Sequence, residues 1–331
     1  MIIISSSETT RRRVLGRLCG AAALLAGLVT TGVAAPGGTA TASAPDPATS
    51  QTGAGTERLP VKAIEKILQA DGHVSKSGVL EVDIDRKDIH VIGGDPPVRF
   101  KDGFQLQHEL FFQSLGRGKA ILNGDLALRP QEIQPVIDAF IAHGLTFQAQ
   151  HQHLYDMRPM VWFVHFRAIG DPIRLAGAAR AVIGKTSTPL PQHSPPNPRT
   201  PLPVRKLEKV LGGDATVGEN GIVTVTVQRT DKIRLGGVVV DPDLGVSTNI
   251  QFQPLKRGEA AVIPDFSMTA SETQPVISVM RRHHWEVGCL YNQETDEHPQ
   301  LYFSHMYRVG DPVELARQIR EGLDRTAAKR A

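Results

Sequence analysis

Gln134-Pro135-Val136-Ile137 returns 140 residues later as Gln274-Pro275-Val276-Ile277. The same offset carries Arg117-Gly118 onto Arg257-Gly258, His165 onto His305, and Gly170-Asp171-Pro172 onto Gly310-Asp311-Pro312. Upstream, Leu59-Pro60-Val61 with Glu65-Lys66-Ile67-Leu68 returns 143 residues later as Leu202-Pro203-Val204 with Glu208-Lys209-Val210-Leu211. Nearly constant offsets over so long a span mean a tandem duplication, so reading one copy gives the fold of both.

Within the first copy, residues 79–84 and 89–92 alternate or run apolar at strand length. Residues 104–112 place Phe104, Leu106, Leu110 and Phe112 at even positions, and residues 120–128 give a further strand. Residues 130–142 set Ile133, Val136, Ile137 and Phe140 at helical spacing, with Pro130 in the first turn, where its missing N–H has no partner to lose. Residues 146–155 and 160–167 read as a hairpin around residues 156–159. Asp171-Pro172 then reads as the N-cap and first residue of a closing helix. The order is helix, several strands, helix, two strands, helix. The expected class is α+β, a tandem duplication of one unit with a mostly antiparallel sheet and flanking helices, the two copies packing as a pseudo-dimer.

Working outward, residues 59–185 form the first repeat and residues 204–326 the second. Between them, residues 186–203 hold seven prolines and read as a stiff linker. Residues 45–58 are small and polar, with too little apolar surface to offset the entropy of ordering, and read as a tether. Residues 1–44 have the layout of a signal peptide: Thr10-Arg11-Arg12-Arg13-Val14-Leu15, an apolar run over residues 18–33, and small residues after it. The arginine pair followed by apolar residues suits twin-arginine export, which carries folded cargo. Ala40-Thr41-Ala42 and Ala42-Ser43-Ala44 are the candidate cleavage sites, and the expected location is secreted or extracytoplasmic, in the cell envelope. Gly20, Gly27 and Gly32 interrupt the short apolar run, which argues against a lasting membrane span.

The formal charge is +3, and Arg11, Arg12, Arg13 and Arg17 against Glu8 account for all of it. A neutral body without basic blocks argues against nucleic acid as a partner. Aromatic residues, at 5%, are too few for an extended base-stacking platform. The partner expected is a small-molecule or envelope ligand of unknown identity. Of the two cysteines, Cys19 lies in the signal and Cys289 in the body, so the processed chain has no disulfide.

His151-Gln152-His153 is the first candidate site, because residues two apart on a strand point to the same face. The next strand offers His165 as a third imidazole, and neutral imidazole suits zinc or copper. If Tyr155 pairs with Met160, His165 falls on the wrong face; a loop one residue longer puts it beside Ala149 and His151. His165 also has a structural reading, since His305 fills the same slot in the other copy, where His151 and His153 are replaced by Tyr291 and Gln293. His108 lies on an otherwise apolar strand face, pointing at a core or a cavity. Asp125 and Glu132 flank a strand-to-helix turn; Glu132 there either favours the helix N-terminus or, like Asp125, serves as ligand or general base. His143, His283 and His284 fall at helix ends and read as surface residues. No phosphate loop, Gly-x-Ser-x-Gly elbow or His-Glu-x-x-His is present.

These residues together resemble the LppY/LpqO family of exported bacterial proteins of unknown function. The resemblance runs through Asn123-Gly124-Asp125-Leu126-Ala127-Leu128, Glu132-Ile133-Gln134-Pro135-Val136, His151-Gln152-His153, Pro159 and His165, and covers roughly residues 60–325. It implies the fold, the compartment and, as a suspicion, a metal. Further histidines of the family pattern are replaced here by Arg167 and Ile169, and the lipid-accepting cysteine of its lipoproteins is missing.

The sequence therefore leads to an exported protein with one metal-binding histidine site in the first repeat. His151 and His153 form it, completed by His165 and by His108 or Glu132. A divalent transition metal is the expected cofactor, zinc first. Two alternatives stand beside it: a metal-dependent hydrolase or lyase in which Glu132 or Asp125 moves protons, and a metal-free ligand-binding module of the envelope.

Overall fold

The computed structural model describes residues 58–330. The expected signal peptide over residues 1–44, nearly all of the tether, and Cys19 lie outside the described residues.

The fold is α+β, with mostly antiparallel sheets and the same unit built twice. In the first copy the helices are α1 (Val61–Leu68), α2 (Ile133–His143) and α3 (Pro172–Ile183). The strands of its main sheet are β1 (His73–Val74), β2 (Leu80–Asp85), β3 (Gln107–Gly116), β4 (Lys119–Leu128), β5 (Thr146–His151) and β6 (Trp162–Gly170), in the order β1-β2-β3-β4-β6-β5. The second copy has α4 (Val204–Leu211), α5 (Ala270–Arg282) and α6 (Pro312–Leu323). Its strands are β7 (Asp214–Val217), β8 (Val223–Val227), β9 (Thr248–Pro254), β10 (Ala260–Thr269), β11 (Glu286–Val287) and β12 (Leu301–Gly310), in the matching order β7-β8-β9-β10-β12-β11.

Strand alternation sorts the side chains. Even-numbered residues such as Leu110, Phe112, Leu122, Leu126, Val164 and Phe166 join the three helices in one buried cluster, and Phe252, Val262, Phe266 and Met306 do the same in the second copy. Each helix layer covers the outer face of its own sheet. The inner faces meet each other through two mixed apolar clusters. One holds Phe104, Phe163, Ala261, Ile263 and Tyr307; the other holds Phe111, Ile121, Leu235, Leu301 and Phe303. Fully burying such a side chain contributes about 1.5–3 kcal/mol, so these clusters hold the copies together while the surface between them stays polar.

The closing helices begin as the sequence suggests. Asp171 accepts a hydrogen bond from the Arg174 N–H at 2.8 Å, and Asp311 from those of Val313 and Glu314, with proline at the first helical position of each. Three expectations shift. The strand expected over residues 104–112 begins only at Gln107, because Gln105 has φ +63° and the chain turns there, sending Phe104 and Leu106 into the inter-copy cluster. The helix expected from Pro130 opens with a 3-10 turn over Pro130–Glu132, and the α-helix starts at Ile133. The first hairpin arm stops at His151, leaving His153 in the bend beyond it, and the second is shifted to Trp162–Gly170. The proline-rich residues 186–203 lie against the first copy: the Gln192 side chain accepts from the Asp85 N–H and donates to the Asp85 carbonyl. No helix among the described residues is long and apolar enough to cross a membrane.

Candidate metal centre

The site is built by strand register. Ala149 lies opposite His165 and His151 opposite Phe163, which is the longer-loop alternative and puts His165 and His151 on one face. Across β4, Asp125 lies opposite His165, and Glu109 opposite Asp125. In the second copy Asn249, Asp265 and His305 follow one another across neighbouring strands in the same way. Both rows are on inner faces, so packing the sheets brings the two rows together.

His151, His153 and His305 each offer a ring nitrogen within 4.8 Å of the other two, and all three residues are buried. Two donors held 2.0–2.1 Å from a tetrahedral zinc are about 3.4 Å apart, so modest ring rotations close the set on an ion. The rings are stacked as they stand, so closing the set requires them to turn out of these stacks. His151 lies on Tyr291 at 3.5 Å between centroids, and His153 between Phe163 at 3.3 Å and His305 at 3.6 Å. Neither ring nitrogen of His151 has a hydrogen-bond partner, and neither has one in His153. Leaving buried polar groups unpaired costs roughly 1–3 kcal/mol each, and an ion taking one nitrogen from each ring could relieve part of that cost.

Carboxylates back the cluster. Asp125 Oδ2 is 3.7 Å from His165 Nε2, and Asp265 Oδ1 is 3.6 Å from His305 Nδ1. The Cys289 sulfur is 3.3 Å from that same Nδ1, and the Tyr291 hydroxyl donates to Asp265 at 3.4 Å. Burial dominates the electrostatics. It holds His151, His153 and His305 well below the usual imidazole range, with neighbouring imidazoles adding to it, and takes His165 down to about 3. The imidazoles are therefore neutral and able to ligate at neutral pH. Burial also raises Asp125 and Asp265 well above the carboxylate range, and it pushes the Cys289 thiol up.

The structure brings together His151, His153, His165 and Asp125 of the sequence candidates, and keeps two others away. His108 points to the helix side of its sheet, where Nε2 meets the Thr188 hydroxyl at 2.8 Å. Glu132 is held by the Arg86 guanidinium at 2.9 and 3.0 Å, caps the Arg129 N–H at 2.8 Å and takes bonds from Ser187. Both follow from strand parity: His108 shares the even face with Leu110 and Phe112, and Glu132 lies beyond the end of β4. The sequence reading confined the site to the first repeat; the third imidazole of the converging group, His305, comes from the second, as does Tyr291. Its one sequence signal is the repeat itself, because His305 is the counterpart of His165 and two face-packed copies place such counterparts near one another.

A family model described as Domain of Unknown Function (DUF1259) matches residues 62–185 and again residues 205–325. No curated protein and no solved structure matches the chain.

Proposed function

The chain belongs to the family described as Domain of Unknown Function (DUF1259), carried in two copies, and from that premise we propose that the duplication exists to assemble one buried metal centre between the copies. His151 and His153 come from one copy and His305 from the other. The observation that carries this reading is the set of four buried, unpartnered ring nitrogens on His151 and His153. Among divalent transition metals we favour zinc, which suits an all-imidazole set and leaves a fourth position open. His165 with Asp125, and Asp265 behind His305, would orient the ligands as carboxylate–histidine pairs do. The arginine pair at Arg11-Arg12 and the resemblance to LppY/LpqO proteins support export to the envelope, and loading before a folded-state export would suit a centre this deeply enclosed.

Metal content of the untagged processed protein tests the reading. About one equivalent of a transition metal is expected in the wild type, none in the His151→Ala/His153→Ala variant, and a strongly reduced amount in His305→Ala, with circular dichroism unchanged. A metal-free wild type after reconstitution with zinc and copper would sink the proposal.

A second reading, hydrolase or lyase chemistry at the same centre, is favoured by the cavity of about 400 Å³ that opens onto His153, His165 and His305. Under that reading Asp125, which lines the cavity, would move the proton, while Glu132 is engaged by Arg86.

A further inference from the structure

The cavity beside the histidines is lined by carboxylates, most of them on the first copy's wall, with Asp265 facing it from the second. Glu81 and Asp83 on β2, Glu109 on β3 and Asp125 on β4 all face it, and Asp83 and Glu109 lie directly across from one another, as do Glu109 and Asp125. The opposite wall presents the counterparts of the first three as Thr224, Thr226 and Asn249, so the duplicated units differ in charge at the surface that meets the cavity. None of the residues lining the space is a lysine or an arginine. Asp83 is exposed where it lines the cavity. Burial, then the charges of Glu109 and Asp243, pushes Glu81 up to about 8, and burial raises Glu109 as well. The wall thus lacks a counter-charge of its own.

Neutral acceptors point into the same space. Asn123 is 3 % exposed and Gln105 8 %; the side-chain oxygen of each has no hydrogen-bond partner, nor does Asp125 Oδ1. A ligand suited to this surface is positive, which would draw the acids into their ionised form, and brings several N–H donors. Its charge must also be spread out. Glu81 and Asp83 are about 7 Å apart along the strand, and the row from Asp83 to Asp125 spans about 10 Å across strands. Among the described residues the one converging group of potential metal ligands is the histidine set, so the carboxylates form an extended wall and not a point site for a bare ion.

We propose that this wall is a binding subsite for a small organic cation carrying at least two ammonium groups, of the diamine or polyamine class. Each ammonium brings three donors and no acceptor, which fits a surface of carboxylate and amide oxygens. Phe111 and Tyr291, which also line the cavity, provide ring surface for the carbon chain. The inference goes beyond the metal reading and stands without it.

Isothermal titration of the processed protein with 1,4-diaminobutane and with spermidine tests it, with 1,4-butanediol and magnesium as comparisons. Both amines are expected to bind and the diol is not. Glu109→Gln and Asp83→Asn should each weaken amine binding at least tenfold while leaving metal content and the thermal transition in place. The metal-free His151→Ala/His153→Ala variant should still bind the amines, which separates failure of this proposal from failure of the metal centre. No heat with either amine, equal affinity in the amide variants, or magnesium binding at the wall in place of the amines would overturn it.

Discussion

Position alone makes Glu132 a candidate general base, at a strand-to-helix turn near a histidine pair, and its neighbours give it a different task. Its carboxylate closes on Arg86, whose side chain is 0% exposed and whose other partners are Asp88 at 3.0 Å and the Ala127 carbonyl. The second copy repeats the knot with Arg229, Asp231 and Glu272, and Glu272 likewise caps the Thr269 N–H at the start of its helix. A buried arginine left without its carboxylate is costly, about 3–5 kcal/mol. Because Arg86 keeps Asp88, Glu132→Ala is expected to lower the unfolding free energy measured in urea by up to that amount while leaving metal stoichiometry unchanged; loss of metal with stability intact would return Glu132 to the site. The residue scale also explains why the sequence listed too many candidates. A glutamate in a helix's first turn looks the same whether it serves a cap, an arginine or a substrate, and its partner here comes from 46 positions earlier in the chain.

At the scale of the element, the strand ends at His151 and His153 lies in the bend beyond it, so strand alternation alone does not bring the two imidazoles together, and one residue of register decided whether His165 joined them. That residue is the one opposite Ala149, fixed by an irregularity between Phe147 and Ala149. Close packing between copies fixes the rest. A Cβ at Gly288 would overlap the His153 carbonyl oxygen and press on Leu154, so this glycine lets the second copy's chain run against the first copy's ligand loop. Gly288→Ala is expected to destabilise by about 1–3 kcal/mol, the usual range for overpacking, and to weaken zinc affinity because the backbone carrying His153 has to move. A metal titration that matches wild type in a variant with a shifted thermal transition would separate the two effects and reject the second. Sequence reading had no means to single out Gly288: its ordinary backbone conformation leaves no local signal, and its neighbour lies in the other copy.

At the scale of the whole molecule, the two rows of buried titratable groups act against each other with pH. Buried imidazoles with depressed folded values favour unfolding as pH falls below the unfolded value of about 6.5, so their unfavourable effect is absent above it. Buried carboxylates with raised folded values do the reverse. Glu81 is pushed up to about 8, mainly by burial, so the folded chain holds a proton that the unfolded chain has released, and stability falls as pH rises toward that value; Glu294, paired with Arg167 at 2.7 Å, stands outside this balance. Between pH 6.5 and 8 the carboxylates act without the imidazoles. The metal-free protein is expected to melt several degrees lower at pH 8 than at pH 6.5, with a smaller drop in Glu81→Gln; a flat or rising transition temperature would count against the buried carboxylates.

What the sequence by itself determined is everything that depends on local periodicity and on the comparison of one copy with the other. That covers the α+β unit, its duplication and the capped closing helices, whereas His153, expected on the strand with His151, lies in the bend beyond the strand's end. These follow because strand and helix periods and cap chemistry are written in adjacent residues. Tertiary structure alone decided which rows of side chains meet. It brought His305 and Tyr291 from the second copy to His151 and His153, turned His108 into the helix-side core, tied Glu132 to Arg86, and set four carboxylates along one wall of a shared cavity. The physical reason is that a sheet's inner face is defined only by what packs on it. Here the partner is the other copy, whose approach is fixed by apolar clusters assembled from residues far apart in the chain.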